Sequence, residues 1–200
     1  MGTALSRARQ NYIDCLCFQG RSAKVLLVGE GNGSFLVPFL RRYPQARVTV
    51  VDESPEMLAV ARKRCEASGL DCSQVVFKVI DLLAVPLPAG PYDLIVTHFF
   101  FDNFAESDVS HLVQLIAAES TQQAQWLVAD FYMPRSGWRS LRARVWLSFL
   151  YLFFAKIAEV PVSQLPEVGG YLKKAGFYCL DRQLSCAQML QSSHYIRHAN

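Results

Sequence analysis

A short glycine-rich stretch, residues 24–36 (KVLLVGEGNGSFL), constrains the fold of this chain more than any other feature. Four consecutive apolar residues precede three alternating glycines, and Ser34 then opens a helical pattern. An apolar run that ends in glycines is typical of a buried strand turning sharply into a helix. Glycines permit positive φ and close approach of a ligand, and the free N–H groups of a helix start attract anionic or electron-rich groups. The stretch therefore predicts a nucleotide-type binding turn.

Strand and helix patterns alternate along the rest of the chain. We expect parallel strands at residues 24–28, 47–51, 75–80, 92–97 and 126–129, and helices at residues 7–18, 34–43, 54–69, 107–120, 138–158 and 165–175. We expect the first helix to lie over the first strand, and residues 178–186 and 194–198 to form an antiparallel pair. This order predicts an α/β fold with a doubly wound, mostly parallel seven-stranded sheet and an antiparallel C-terminal pair. No linker or repeat interrupts it, so we predict a single domain over residues 1–200.

Polar residues follow the predicted strands at the sheet edge where ligands of such folds bind. Asp52 follows the second strand, where an acid can accept hydrogen bonds from two ribose hydroxyls. Asp81 follows the third strand and can accept a hydrogen bond from an adenine amine. His98 and Asp130 follow the fourth and fifth strands. Together these positions predict an adenosine site, with the glycine turn facing whatever is attached to the ribose.

Four motifs in this order resemble those of class I S-adenosylmethionine-dependent methyltransferases, which have a Rossmann-like fold. They are VLLVGEGNGSF, VTVVDESPEML, VVFKVID and YDLIVTHFFFDNF, and the resemblance covers about residues 24–131. It implies S-adenosylmethionine as the cofactor and methyl transfer as the activity. One departure is Leu27, because the family often has an acid there that helps to hold the methionine ammonium group. We expect Glu30 or Asp102 to compensate.

The resemblance also implies a role for each matching residue. The turn under the methionine part would be Gly29, Gly31 and Gly33, with Thr97 and His98 bordering that part near the methyl group. The adenosine part would be held by Asp52 with help from Glu53, by Asp81 at the adenine edge, and by Met57 and Leu82 on either side of the adenine.

Methyl transfer from a sulfonium mainly requires alignment of the reacting atoms, and a hydroxyl or ammonium acceptor also requires a base. His98 is our candidate base because imidazole titrates near neutral pH, and Asp102 and Asp130 are candidates to orient it or the substrate. Structural roles remain open for all three. His98 could pack among the phenylalanines, Asp102 could cap the next helix, and Asp130 could bind a backbone turn.

The acceptor is indicated only by residues 131–158, which are rich in aromatic residues and carry Arg135, Arg139, Arg142 and Arg144. A ring-lined pocket with cations predicts a small hydrophobic or aromatic acceptor, and the layout loosely resembles methyltransferases that act on quinones. The same stretch could be a core helix, or a surface helix that binds a membrane, a partner or a second copy through residues 138–158. The chain lacks the [DN]PP[YF] motif of enzymes that methylate amide or base nitrogens.

Composition limits the other possibilities. A net charge of +3 is too small to favour nucleic acid as a partner. Six cysteines without CxxC spacing predict no metal site, and we expect them to be buried free thiols in a reducing cytoplasm. No signal-peptide pattern opens the sequence, and the apolar residues 145–155 are too few to span a bilayer.

Two other functions remain open. An NAD-dependent oxidoreductase would share the turn and Asp52, but its GxGxxG pattern requires glycine where this chain has Ser34. A cofactor-binding module without catalysis would fit the departure at Leu27.

Overall fold

One seven-stranded sheet connects all the strands of the computed structural model, which describes residues 2–18, 22–132, 167–186 and 188–197. Numbered along the chain, the strands lie in the order β3-β2-β1-β4-β5-β7-β6. Their bounds are β1 Lys24–Val28, β2 Arg47–Asp52, β3 Val75–Val79, β4 Tyr92–His98, β5 Ser120–Phe131, β6 Phe177–Ser185 and β7 Leu190–Arg197. The first five strands run parallel, and β7 pairs antiparallel with both β5 and β6. The predicted fold class is therefore confirmed.

Helices cover both faces of this sheet. They are α1 Gly2–Gln10, α2 Leu36–Arg42, α3 Pro55–Ala67, α4 Glu106–Ala118 and α5 Val168–Lys174, with 3-10 turns at Ile13–Cys15 and Phe101–Asn103. Alternate side chains of each strand point to opposite faces, which gives two cores. Leu26 and Trp126 pack with α4 and α5, whereas Leu27 and Leu127 pack with α2 and α3.

Local backbone geometry changes several of the predicted bounds. The predicted helix 7–18 is wrong, because α1 ends at Gln10 and Tyr12 takes a left-handed φ of 72°. The N-terminal segment lies over two strands: Tyr12, Ile13 and Leu16 pack in the core that contains β1, while α1 itself contacts β7. The helix predicted at 138–158, its arginines and the proposed contact between copies lie outside the described residues.

The long strand β5 extends well beyond the predicted residues 126–129. It starts at Ser120, which pairs with Tyr92 of β4. Between Ser120 and the predicted start at residue 126, the polar residues Gln122 and Gln123 are exposed. Because these first residues are polar, this part of the strand does not form an apolar run that would predict it. β7 likewise begins at Leu190 rather than His194.

The cysteine prediction is wrong. Cys65 at the end of α3 forms a disulfide with Cys72, and the Cα atoms lie 6.5 Å apart. Gly69, with φ of 71°, reverses the chain between them. The four other cysteines are free and exposed rather than buried: Cys15, Cys17, Cys179 and Cys186.

Candidate active site

The glycine turn connects β1 to α2, and all three glycines have positive φ: 62° at Gly29, 63° at Gly31 and 75° at Gly33. A Cβ at Gly29 would lie 2.7 Å from Cδ2 of Phe100, so the loop after β4 packs directly on this backbone. Around Gly31 the space is more open, since a Cβ there would meet only Cε of Met57 at 3.7 Å. A ligand can therefore approach the backbone at Gly31.

Asp52 joins this turn to the start of α3. Its Oδ2 accepts a hydrogen bond from the Gly31 N–H at 2.9 Å, and its Oδ1 accepts one from the Ser54 N–H at 3.0 Å. A carboxylate has about four acceptor positions, so two remain for ligand hydroxyls. This geometry fits a ribose diol next to the turn.

A cleft opens at the carboxyl ends of β1 to β4. The residues that line it are Val28, Gly29, Val51, Asp52, Glu53, Ile80, Asp81, Leu82, Phe99, Phe100, Asn103 and Phe104. Five of them were predicted as cofactor ligands: Gly29, Asp52, Glu53, Asp81 and Leu82. The cleft therefore brings together the first glycine of the turn and four of the five residues predicted for the adenosine part, without Met57. The other predicted cofactor residues do not line it: Glu30, Gly31, Gly33, Thr97 and His98.

The predicted adenine contacts have distinct surroundings. Asp81 is exposed, and its Oδ1 accepts a hydrogen bond from the Leu83 N–H at 2.9 Å, which leaves Oδ2 available to a ligand. Leu82 is buried, and Met57 is 36% exposed at the edge of the turn. Asn103 was not predicted, and its Nδ2 donates to the carbonyl oxygens of Phe99 and Phe100 at 3.1 Å each. The signal available in the sequence was its position in the loop that follows β4.

Glu30 lies under the turn and is only 4% exposed. Its Oε1 accepts hydrogen bonds from the N–H groups of Phe35 at 2.8 Å and Leu36 at 3.1 Å, where α2 begins. Burial nevertheless raises the pKa of the Glu30 carboxyl to about 7. The Glu30 carboxyl therefore gains or loses its negative charge near neutral pH. It lies in the same turn region as Leu27, which stands where the family often has an acid.

The end of β4 places its two predicted residues on opposite faces. Oγ1 of Thr97 accepts a hydrogen bond from Nε1 of Trp126 at 2.9 Å, so this side chain points into the core on the side of α4. His98 packs edge-on against Phe35 on the other face, and its Nδ1 is buried without a hydrogen-bond partner. Burial and the nearby positive charge of Arg9 lower the pKa of His98 to about 3. The imidazole is therefore neutral and a weak base in this environment.

Asp102 and Asp130 interact with each other rather than with His98. His98 is paired with Ala129 in the sheet, so the side chain of the next residue, Asp130, points to the opposite face. Burial raises the pKa of Asp102 to about 6 and holds that of Asp130 well above its usual range, and each carboxyl group affects the pKa of the other. Oδ2 of Asp102 and both carboxyl oxygens of Asp130 are buried, and none has a hydrogen-bond partner among the described residues. The pair therefore holds one proton at neutral pH, because two buried carboxylates in contact repel each other.

A half-buried cation near the turn was not predicted. The guanidinium of Arg9, on α1, lies 5.1 Å from the centroid of the Phe99 ring, and its charge interacts with that of Glu30. No local sequence pattern relates Arg9 to the turn, because its position depends on the path of the N-terminal segment.

Two negative results concern the described part of the chain alone. Among its residues, no three His, Cys, Asp or Glu side chains cluster in a way that could hold a metal ion. Across the same ranges, no helix has the length and apolar character needed to cross a membrane.

Comparisons with known proteins bear on this geometry. A family model described as a methyltransferase domain matches residues 25–119. A demethylmenaquinone methyltransferase of Thermus thermophilus is 32% identical over 142 residues, which make up 70% of this chain and 61% of that protein. A release factor glutamine methyltransferase of Koribacter versatilis is 36% identical over 85 residues, or 42% of this chain and 29% of that protein. Residues 25–119 therefore match a methyltransferase domain, in agreement with the predicted class I S-adenosylmethionine-dependent family.

Solved methyltransferases share the complete fold. An O-methyltransferase family 2 protein from Planctomyces limnophilus, in complex with apigenin, has a TM-score of 0.73 at 19% identity, covering 93% of this chain and 55% of that one. A magnesium protoporphyrin IX methyltransferase from Synechocystis with bound S-adenosylhomocysteine has a TM-score of 0.72 at 16% identity, covering 98% of this chain and 84% of that one.

The match to a methyltransferase domain has two consequences for the predictions. The predicted cofactor, S-adenosylmethionine, is confirmed, and the oxidoreductase alternative is removed. This chain spans 61% or less of the length of the two curated relatives named above. The individual site residues stay predictions.

Proposed function

We propose that this protein transfers the methyl group of S-adenosylmethionine to a small hydrophobic or aromatic acceptor. The observation that carries the proposal is a set of aromatic side chains beside the cofactor cleft. Phe99 and Phe104 line the cleft and are both half-buried. Phe131, at the end of β5, packs on Phe99 with ring centroids 5.2 Å apart. Such rings offer a flat apolar surface to an acceptor at the end of the cleft.

The residues of the cleft fit the proposed cofactor. Asp52 keeps two acceptor positions for the ribose hydroxyls, and Asp81 keeps one oxygen for the adenine amine. The open space at Gly31 leaves room for the methionine part of the cofactor. S-adenosylmethionine supplies a methyl group that its sulfonium already activates. The protein therefore has to align the acceptor and, for a hydroxyl, remove a proton.

The carboxyl pair of Asp102 and Asp130 is our proposed proton acceptor. The pair holds one proton and one negative charge, so it can take a second proton as the new bond to the methyl carbon forms. His98 is less suited to this role, because its lowered pKa makes it a weak base. We retain His98 as a residue that borders the methionine part.

Relatives support a small acceptor in two ways. The first relative named above acts on demethylmenaquinone according to its name, and one structural neighbour was solved with apigenin, an aromatic compound. The release factor methyltransferase acts on a glutamine of a protein by its name. After β4, however, this chain has His98-Phe99-Phe100-Phe101 in place of the [DN]PP[YF] motif of amide-nitrogen methylation.

The test has a binding arm and a transfer arm. Calorimetric titration with S-adenosylmethionine, S-adenosylhomocysteine and NADH should show binding of the two sulfur nucleotides alone. Incubation with tritiated S-adenosylmethionine should then label hydroxylated aromatics and quinols, but not a glutamine peptide or DNA. We expect Phe99→Leu and Phe104→Leu to raise the KM of the acceptor. Phe18→Leu is the control, because Phe18 packs on Tyr43 and does not line the cleft.

Each result has a definite consequence. Labelling of the peptide instead of the aromatic compounds would contradict the proposed acceptor class. Binding of the cofactor without labelling of any acceptor would favour the non-catalytic module. Binding of neither sulfur nucleotide would contradict the proposed function altogether.

A further inference from the structure

The loop after β4 begins with a strained backbone. Phe99 takes a φ of 54°, in the left-handed region that glycine and asparagine tolerate but a bulky aromatic residue rarely adopts. Such a conformation persists only where the surrounding contacts fix it, and strained residues of this kind are concentrated at functional sites. Phe99 lines the cleft and is half-buried, so its backbone determines where an aromatic ring lies in the cleft.

Asn103 supplies the hydrogen bonds that fix this backbone. Its Nδ2 donates to the carbonyl oxygens of Phe99 and Phe100 at 3.1 Å each, and its backbone N–H donates to the Phe100 carbonyl oxygen at 3.2 Å. On the other side, the Phe99 N–H donates to the Ala129 carbonyl oxygen of β5 at 2.6 Å. The side chain of Asn103 is exposed, so it does not fill the core. Its amide therefore acts on the shape of the loop.

Two further contacts hold the ring of Phe99. The centroid of the Phe131 ring, at the end of β5, lies 5.2 Å from that of Phe99, and the Arg9 guanidinium lies 5.1 Å from the same centroid. In the sheet order, β4 and β5 lie on one side of β1, whereas β2 and β3 lie on the other. Asp52 and Asp81, the predicted adenosine ligands, follow β2 and β3. The two rings therefore lie towards the side of the sheet away from the predicted adenosine ligands.

We propose that Asn103 is a positioning residue that holds the ring of Phe99 as the surface on which a flat acceptor with several fused rings stacks. This inference rests on the proposed function and narrows its acceptor class, because stacking on an aromatic ring favours flat partners over flexible aliphatic ones. A ring that is fixed before binding loses little conformational entropy when the acceptor arrives. The strained backbone at Phe99 is what this fixed position requires.

The strain is tested by two substitutions that both remove the ring. Phe99→Gly should be more stable than Phe99→Ala, because glycine adopts a φ of 54° without the clash of a Cβ. Phe104 is the matched control, since it lines the same cleft with a φ of −120°, and Phe104→Ala should be more stable than Phe104→Gly. Thermal unfolding measures the Tm of all four variants. A lower Tm for Phe99→Gly than for Phe99→Ala would overturn the inference.

The role in acceptor selection is tested by methyl transfer from tritiated S-adenosylmethionine to phenol, naphthol and anthrol. The KM of wild type should decrease as the number of rings increases. Asn103→Ala and the similarly sized Asn103→Asp, which cannot donate, should raise the KM of naphthol and anthrol by about two- to tenfold, the range that one aromatic pair contributes. The kcat and the affinity for S-adenosylhomocysteine should not change. Gln114→Glu, at an exposed position of α4, is the control for exchanging an amide for a carboxylate.

A double substitution shows whether Asn103 acts through Phe99. Once Phe99→Leu has removed the ring, adding Asn103→Ala should raise the KM of naphthol no further, whereas additive increases would overturn the inference. Weaker binding of S-adenosylhomocysteine by Asn103→Ala would also overturn it, because Asn103 would then act on the cofactor. Equal KM values for wild type and Asn103→Ala would overturn it while leaving the proposed function intact. Failure of wild type to methylate any of the three compounds would contradict the proposed function, and the inference with it.

Discussion

The carboxylate of Asp52 accepts a hydrogen bond of 2.9 Å from the backbone N–H of Gly31, which ties the end of β2 to the turn after β1. The same side chain accepts a second bond from Ser54, the N-cap of α3. Asp52 therefore positions the turn in addition to its proposed contact with the ribose.

This double role predicts different results for two substitutions. Asp52→Asn keeps one acceptor oxygen, so we expect a small loss of stability but about a hundredfold weaker cofactor binding, as two charge-assisted hydrogen bonds are lost. Asp52→Ala should in addition cost about 1–2 kcal/mol of unfolding free energy, since it removes an acceptor from both N–H groups. Urea unfolding and calorimetric titration measure the two effects. The exposed Glu66→Gln is the control, and normal binding by Asp52→Asn would contradict the proposed contact.

Gly29 provides a test of the close approach between the turn and the loop after β4. Gly29→Ala should cost about 1–3 kcal/mol, because its φ of 62° disfavours a side chain and the new Cβ would lie 2.7 Å from the buried Phe100 ring. Gly69→Ala is a matched control, with φ of 71° but no atom within 4 Å. A greater loss at Gly29 in urea unfolding isolates the effect of the contact. Equal losses would show that φ alone matters.

The glycine turn and Asp52 could be predicted because their signals are local. An apolar strand, a turn that only glycine accommodates and an acid at the next strand end are all read within a few residues. The pairing of Asp102 with Asp130 could not be predicted in this way. It depends on the register between β4 and β5, which determines that Asp130 and His98 point to opposite faces.

Arg9 shows the same limit more strongly. It lies on a short helix whose position depends on hydrogen bonds to Ser192, more than 180 residues later in the chain. No local pattern encodes such a contact. The Cys65–Cys72 disulfide is an intermediate case, since both cysteines flank the helix end at Gly69, yet spacing alone does not distinguish a disulfide from two free thiols.

Glu30 should link pH to both stability and binding. Its pKa rises from 4.5 to about 7 on folding, so the unfolded chain releases this proton first and the folded state loses stability as pH rises from about 4.5 to 7. Glu30→Gln keeps an oxygen for the N–H groups of Phe35 and Leu36 and removes this penalty. We expect the variant to be more stable than wild type at pH 8, by on the order of 2–3 kcal/mol, and similar at pH 4.5.

The same substitution should weaken cofactor binding, because an amide cannot balance an ammonium charge. In wild type, affinity should fall as pH decreases below about 7, where Glu30 becomes protonated, and Glu30→Gln should lack this dependence. Titrations with S-adenosylhomocysteine between pH 6 and 8.5 measure both effects. The other groups whose charges act on Glu30 are Arg9 and Asp52, so Arg9→Gln should shift the midpoint upwards. A pH-independent affinity in wild type would contradict the role of Glu30.

The carboxyl pair predicts an acid limb in the pH profile of turnover. Asp102, with a pKa of about 6, must be ionised to accept a proton, so kcat should decrease below this pH. Asp130→Asn replaces the protonated partner with an amide that can also donate to Asp102, so the acid limb should stay near its wild-type position. Asp130→Ala removes this donor, which should raise the pKa of Asp102 and move the acid limb to higher pH. Asp102→Asn should reduce kcat at every pH. An unchanged limb in Asp130→Ala would show that the pair does not control the proton transfer.

The disulfide between Cys65 and Cys72 predicts a stability that depends on redox conditions. Closing a loop of this size reduces the entropy of the unfolded chain by an amount worth about 2 kcal/mol. Reduction with dithiothreitol should therefore lower Tm by several degrees, and Cys72→Ser should lower it equally and remove the response to the reductant. Cys179→Ser, at an exposed free cysteine, should leave both Tm and the response unchanged. Cys65 is a buried residue of α3, and neither cysteine lines the cleft, so cofactor affinity should not respond to the reductant. A loss of binding on reduction would show that α3 transmits the change to the glycine turn through Ala61, which packs against Gly33.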